Sequence, residues 1–234
     1  MKVATDKAII FLVEGDTDEL SLGGIMQKYL KPRREYFQVI GTDITSDYDT
    51  NPSNILTKIN REIHCKLDEI KLFESDLVSV VHLVDMDGAY VSDDCIREMN
   101  PIDHWIYNQD VIFVSSKEEA VKRNKRKREN LEALQSLNCV GMGEEIPYRV
   151  FYFSCNLEHV LHNNANVPSK IKRSMADEFA DRYYCDVKGF VDFISNSDFS
   201  VDGSWRGSWD FIKSGEKSLH RYTNFGLFFT EAVI

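Results

Sequence analysis

The side chains best suited to chemistry are acidic and stand at the ends of apolar runs. Ile9 to Glu19 reads IIFLVEGDTDE, and Val80 to Gly88 reads VVHLVDMDG. In each, a run apolar enough for a buried strand stops at carboxylates. These are Glu14, followed by Asp16, Asp18 and Glu19, and then the pair Asp85 and Asp87. In an open α/β sheet, ligands bind outside the carboxyl ends of the strands. Alternation along an extended chain points Asp85 and Asp87 to the same side. Two carboxylates there make a hard oxygen site suited to Mg²⁺ or Mn²⁺. Glu14 on a neighbouring strand end would join them, and a cation would relieve the repulsion among three close carboxylates.

A plainer reading stays open for each run. Asp16 could cap a helix whose positive end favours Asp18 and Glu19, with Gly15 permitting a tight turn. DMDG could be a solvated Asp-rich turn. Neither accounts for Glu14, which precedes the cap. Either of two outcomes would end the metal reading. One is Glu14 on the opposite edge of the sheet from Asp85 and Asp87. The other is neutralisation of the three by a buried lysine or arginine.

The elements that must position these residues follow from periodicity. Ala8 to Val13 reads as a fully buried strand, Asp16 to Leu30 as a helix, and Tyr36 to Ile40 as a second strand. Asn51 to Ile70 reads as a helix capped by Asn51 or Ser53. Leu77 to Val84 is a third strand, Val111 to Val114 a fourth, and Lys117 to Leu137 a charged helix. This rhythm predicts an α/β fold, a parallel sheet flanked by helices. Tyr148 to Phe153 reads as a further strand, Asn156 to His162 as a short helix, and Pro168 to Ile194 as a helix broken near Asp186 to Gly189. Ser195 to Gly215 reads as a loop. A soft boundary near residue 140 divides an α/β domain, 1–140, from a mainly helical C-terminal extension, 141–234, that completes the site.

The 234 residues, 43% of them hydrophobic, are enough for one good core. No apolar run approaches the length of a membrane span, and the N-terminal stretch runs straight into acids without a signal-peptide pattern. A cytoplasmic chain with no membrane partner is expected. The five cysteines are odd in number and never in CxxC, so neither a disulfide framework nor a zinc site is expected. The net charge of −10 argues against a protein that coats nucleic acid by charge alone. It leaves room for a metal-dependent enzyme acting on phosphates, because bound cations reverse the sign of an acidic pocket.

One run opposes the overall charge. Lys122, Arg123, Lys125, Arg126, Lys127 and Arg128 are six cations within seven residues. They could track a nucleic-acid backbone, or form a solvated helix face paired with Glu118, Glu119 and Glu129. Lys170, Lys172 and Arg173 make a smaller basic group. SWRGSW, Ser204 to Trp209, is better read as core packing or a partner contact than as a base-stacking platform. Lys213, Lys217 and Arg221 are further candidates for a transition-state cation, with nothing to choose among them. His159 and His162, spaced i and i+3, could reach one ligand, although partial burial is the commoner fate of such histidines.

VEGDTDE at Val13 to Glu19, followed after an intervening strand and helix by DMDG at Asp85 to Gly88, resembles the Toprim domain. The resemblance spans roughly residues 7 to 116. The domain is shared by OLD-like nucleases, and a third run, YFSCNLEHVLHN at Tyr152 to Asn163, resembles an element of RloB-like and AbiLii-like Toprim proteins, in which a strand leads to a glutamate on a short helix near the metals. Glu158 matches that glutamate. The chain departs from that pattern where Cys155 and Asn156 replace the usual Asn-Pro.

The resemblance implies a metal-dependent nuclease that cleaves phosphodiester bonds in DNA or RNA, and an abortive-infection role in antiviral defence. It implies Asp85 and Asp87 as principal ligands of Mg²⁺ or Mn²⁺, and Glu14 as a ligand or general acid/base. Asp18 and Glu158 are helpers, with Glu158 completing a second metal site. It also implies a nucleic-acid substrate, together with an ATPase partner protein encoded nearby or a homo-oligomer; the chain has no GxxxxGK[ST] loop, so any ATPase must be another chain. Two rivals remain: a non-catalytic metal- and partner-binding module, and a primase-like activity that incorporates nucleotides.

Overall fold

The computed structural model describes residues 7–31, 43–230 and, by backbone alone, 35–41. Residues 1–6, part of the N-terminal stretch considered above, lie outside the described residues.

Strand β1 (Lys7–Val13) is buried along all but its first residue. Helix α1 (Asp16–Leu30) follows it directly and leads to β2 (Glu35–Gly41), which lies parallel to β1. Helix α2 (Ile55–Ile70) starts at the first residue of its apolar stripe and not at the expected Asn51; the residue before it is Asn54, with no side-chain cap, so neither Asn51 nor Ser53 caps it. Residues 51–54 form a turn in which Asn54 Oδ1 accepts from the Asn51 N–H at 2.9 Å. Strand β3 (Leu77–Asp85) then pairs with the other side of β1, also parallel. Both β1 and β3 are near-continuous apolar runs because each is flanked by strands and covered on both faces.

Three short strands, β4 (Ile96–Glu98), β5 (Ile106–Tyr107) and β6 (Ile112–Val114), form a separate sheet in the order β4-β6-β5. The run at 111–114, expected as the fourth strand of the main sheet, belongs here instead. With three residues it is short, and its side chains join a second small core with Val91, Ile96 and Leu219. Helix α3 (Lys117–Ser136) is capped by Ser116, whose hydroxyl accepts from the Glu119 N–H.

Strand β7 (Cys139–Val140) is followed by β8 (Ile146–Phe153), which pairs in parallel with β3 and completes the order β2-β1-β3-β8-β7. The boundary near residue 140 therefore separates no second core, because β8 is an interior strand of the main sheet. Helices α4 (Leu157–His162), α5 (Ser169–Tyr184) and α6 (Val187–Ile194) follow; the chain breaks at 185–186, at the front of the break expected over Asp186 to Gly189, and Gly189 lies inside α6. Part of the expected loop is helix α7 (Trp205–Ile212), capped by the Ser204 hydroxyl. Its indoles turn inward: Trp209 is fully buried, and Trp205 Nε1–H donates to the Val150 carbonyl at 2.7 Å. The final turn, α8 (Leu227–Thr230), packs Phe228 against Phe11 of β1 and Phe151 of β8. Asn224 accepts the Tyr152 N–H on Oδ1 and donates from Nδ2 to Ser208, so the tail is bonded into β8. No helix among the described residues is long and apolar enough to cross a membrane.

Candidate acidic site at the strand ends

Parallel pairing sets the location. Leu12 of β1 lies beside His82 of β3. Glu14 and Asp85 follow within a few residues and emerge at one end of two adjacent strands. Asp85 is the last residue of β3 and faces Phe153 of β8. Glu14 is thus on the same rim as the Asp85–Asp87 pair, and the first adverse outcome is not found.

Beyond Asp85 the chain leaves the strand. Asp87 has φ 48° and Gly88 φ 64°. The Met86 and Asp87 N–H groups donate to the carbonyls of Phe153 and Cys155. A side chain at Gly88 would meet Ile112 and Leu219 at 2.7 Å, so only glycine fits this turn. Strand alternation therefore does not extend to Asp87. Its carboxylate is directed to α3 and so does not pair with Asp85 on one side, as extended geometry would require.

Two cations of α3 meet it. Lys127 Nζ lies 2.5 Å from Asp87 Oδ2, and 3.4 Å and 3.5 Å from the two Glu14 oxygens. Arg123 Nη2 lies 2.7 Å from the same Asp87 oxygen. Tyr107 donates its hydroxyl to Asp87 Oδ1 at 3.4 Å. Burial would raise the Asp87 pKa, yet Arg123 and Lys127 outweigh it and hold the group below its usual range. Burial would likewise strip Lys127 of its proton, but Asp87 and then Glu14 hold its pKa above the usual lysine value. The second adverse outcome is therefore met for Asp87 and in part for Glu14.

Glu14 is the weaker partner of Lys127. Burial, aided by Asp43 and Asp87, pushes its pKa up to about 8 against the pull of Lys127. Thr45 Oγ lies 3.0 Å from Glu14 Oε1 and 3.2 Å from Asp43 Oδ1, tying the loop before α2 to the site. Asn130 of α3 donates to the Thr45 and Thr50 carbonyls and holds that loop in place.

Asp85 differs from its neighbours. Burial and the charges of Glu14, Asp18 and Asp87 raise its pKa well above the usual value. Its carboxylate makes no hydrogen bond or ion pair among the described residues. It lines a cleft of about 360 Å³.

Asp18 and Glu158 approach from another side. The residue preceding α1 is Gly15, not Asp16, and its backbone is ordinary extended chain. Asp18 Oδ2 accepts the Gly15 N–H at 3.2 Å, so the side chain that bonds the helix start is Asp18 and not the expected Asp16. Burial and then Glu158 nevertheless raise its pKa to about 7. Glu158 stands in the first turn of α4, where Asn156 Oδ1 accepts the His159 N–H. Lys172 of α5 lies 2.9 Å from Glu158 Oε1.

Divalent-ion fit differs between the two halves of the site. Lys127 fills the Glu14–Asp87 half, and a second cation does not fit there. The Asp85 half holds a carboxylate that makes no direct ion pair among the described residues and is open to the cleft, although Lys127 draws on it at longer range. Mg²⁺ commonly binds through one or two carboxylates, keeping waters and taking substrate phosphate oxygens. Among the described residues, no group of three or more His, Cys, Asp or Glu side chains is gathered into a metal-holding cluster. The reason lies in the ion pairs: Asp87 turns to Arg123 and Lys127, and Glu158 to Lys172.

The basic run is not one nucleic-acid face. A helix distributes seven consecutive residues around its whole circumference. Lys127 is fully buried and Arg123 is spent on Asp87. Arg126 donates to the Ser46 carbonyl and Arg128 to that of Ala89. Lys122 and Lys125 alone among the six are exposed, with Glu118, Glu119 and Glu129 beside them. The inward role of Lys127 had a sequence signal. Ala120, Asn124, Lys127, Leu131 and Leu134 are buried at alternating spacings of four and three. That is one helix face, and Lys127 lies within it. Arg221, by contrast, is bound to the Val160 carbonyl. Lys217 lies over Phe211 and Lys213 over Tyr90. His162 packs on Phe179, and burial lowers the His159 pKa to about 4.

The chain matches no protein-family model, no curated protein and no solved structure.

Proposed function

We propose that this chain is a divalent-metal-dependent nuclease of the Toprim type, hydrolysing phosphodiester bonds in DNA or RNA at the Glu14–Asp85 rim. The observation that carries the reading is Asp85. It is a carboxylate at a parallel strand end, pressed by the charges of Glu14, Asp18 and Asp87, without an ion-pair partner among the described residues and open to a cleft. Asp85 would hold Mg²⁺ or Mn²⁺, with Asp18 and Glu158 as outer carboxylates. When bound, such an ion supplies an activated water or stabilises a leaving oxygen.

The chain's own residues supply the rest. Glu14, with a pKa near 8, can hold or release a proton close to neutral pH, as a general acid or base should. Lys127 and Arg123 fix Asp87 and add positive charge beside the cleft, where a phosphate would carry negative charge. The ligand set is thus narrower than the sequence suggests, because Asp87 serves these cations first. An abortive-infection role, an ATPase partner protein and self-assembly belong to the same proposal and rest on the resemblance alone.

One observation favours the rival reading of a non-catalytic metal- and partner-binding module. The Lys127 ammonium already satisfies Asp87 and touches Glu14. Assays of labelled single- and double-stranded DNA and RNA with Mg²⁺ or Mn²⁺ separate the two. Strand cleavage reduced about 100-fold or more by Asp85→Ala is expected, since even outer-shell changes at metal sites cost 10–100-fold. No cleavage of any substrate, with Asp85→Ala altering stability alone, would establish the module reading.

A further inference from the structure

We propose that the cleft beside Asp85 seats one unpaired nucleotide of a DNA or RNA strand, with its base stacked on Trp105. The proposal deepens the nuclease reading and relies on it only for what happens to the phosphate.

Size comes first. About 360 Å³ lies near the lower end of the roughly 300–1,000 Å³ typical of ligand sites, the scale of a single nucleotide. Lining chemistry comes second. Asp85 and Asp87 share the cleft with Trp105, Tyr107, Ser169 and Lys172. Of the three tryptophans, Trp205 and Trp209 are buried in the core. Trp105 is half-buried and lines this polar cleft. The Arg123 guanidinium lies 4.5 Å from its ring centroid and is itself anchored on Asp87. One face of the indole is thus held by a cation fixed to Asp87. A nucleobase offers the flat, polar-edged surface that suits an indole at a wet cleft.

The wall is also preformed. Asn166 accepts the Tyr107 N–H at 2.8 Å and donates to the Tyr107 carbonyl at 2.7 Å. This ties β5 to the segment leading into α5. The first turn of α5 follows Pro168, which provides no side-chain cap, and Lys172 lies one turn on. The uncapped N–H groups favour a phosphate entering beside Asp85, with the Lys172 ammonium, already paired with Glu158 at 2.9 Å, at the edge of the cleft. A base stacked on Trp105 in a space of this size cannot remain paired to a second strand. The site therefore selects single strands or extruded nucleotides.

The test reads binding with Ca²⁺ in place of Mg²⁺, so that turnover does not intervene. Fluorescence anisotropy of labelled 12-nucleotide single-stranded DNA, single-stranded RNA and blunt duplex is compared for wild type, Trp105→Ala and Trp105→Phe. Single strands should bind more tightly than duplex. Trp105→Ala should weaken them by roughly 5- to 150-fold, the effect of losing one base–aromatic stack, while Trp105→Phe keeps most of the affinity. Should Trp105→Ala fail to fold, strand-induced quenching of tryptophan emission in wild type, lost in Trp105→Phe, supplies the same answer. Duplex bound as tightly as single strand, single-strand affinity unchanged in folded Trp105→Ala, or quenching that persists in Trp105→Phe would each overturn the proposal. Trp105-dependent binding without cleavage under Mg²⁺ or Mn²⁺ would sink the nuclease reading and leave this one standing. Cleavage with Trp105-independent binding would do the reverse.

Discussion

Lys127 Nζ lies 2.5 Å from Asp87 Oδ2, and the lysine side chain is fully shielded from water. A buried ammonium persists in its charged form only where anions offset its lost hydration. Here Asp87 does so at close range and Glu14 from 3.4 Å. The pair explains why Asp87 stays ionised while its neighbours Glu14 and Asp85 retain protons to higher pH. It also joins α3 to the ends of β1 and β3, so the site and the helix packing share one interaction.

Removing that cation should be costly. Lys127→Met is expected to lose about 3–5 kcal/mol of stability at pH 8, the usual cost of leaving one partner of a buried pair alone. Urea unfolding measures it. Asp87→Asn in the Lys127→Met background should recover part of the loss. Wild-type stability for Lys127→Met at pH 8 would contradict the pairing.

Asp85 should behave in the opposite sense. It makes no ion pair among the described residues, so Asp85→Asn relieves repulsion from Glu14, Asp18 and Asp87. Without divalent ions the variant should melt at or above the wild-type temperature. Wild type should gain stability with Mg²⁺, about 2.7 kcal/mol at a hundred times the dissociation constant. Asp85→Asn should gain little. Calorimetry with and without Mg²⁺ decides, and an equal gain in both proteins would remove Asp85 from the metal site.

Glu14 and Asp18 make a pH prediction on the alkaline side. Their folded pKa values, about 8 and about 7, exceed the ordinary 4.5 and 3.8. As pH rises past the ordinary values, the unfolded chain releases these protons first. Stability contributed at low pH is therefore lost progressively up to about pH 8, by at most ~1.4 kcal/mol per pH unit for each group. Glu14→Gln, which can still accept from Thr45, should flatten this decline in urea midpoints measured from pH 5 to 8. A slope identical to wild type would show that Glu14 is ionised throughout.

His82 acts on the acid side. It is fully buried in β3, with Nδ1 2.7 Å from the Tyr148 hydroxyl, and burial lowers its pKa to about 3 from 6.5. The unfolded chain takes up this proton as pH falls through 6.5, while the folded chain does not. The stability present above pH 6.5 is then lost by up to ~1.4 kcal/mol per unit on the way to pH 3. His82→Gln should thus lose less stability than wild type between pH 7 and 5. Parallel pH curves for the two proteins would rule His82 out as the source.

Much of the fold and part of the site could be read along the chain, for reasons that stay within one element. The burial of β1 and β3 follows from uninterrupted apolar runs, and α1 starts at Asp16 as its pattern requires. Glu14 and Asp85 stand out because they end such runs. Even the inward placement of Lys127 was encoded by its position among Ala120, Leu131 and Leu134, although its charge disguised it.

What the tertiary structure alone decided is where these elements meet. Short-range patterns do not record that β8, from beyond residue 140, pairs with β3, or that 112–114 joins a different sheet. Nor do they record that Asp87 turns left-handed, since that turn depends on hydrogen bonding to Cys155, nearly seventy residues away. Propensity and periodicity act over a few residues. The choice between a shared metal and a buried lysine is made by charges brought together from distant parts of the chain, whose energies depend on the distances folding creates.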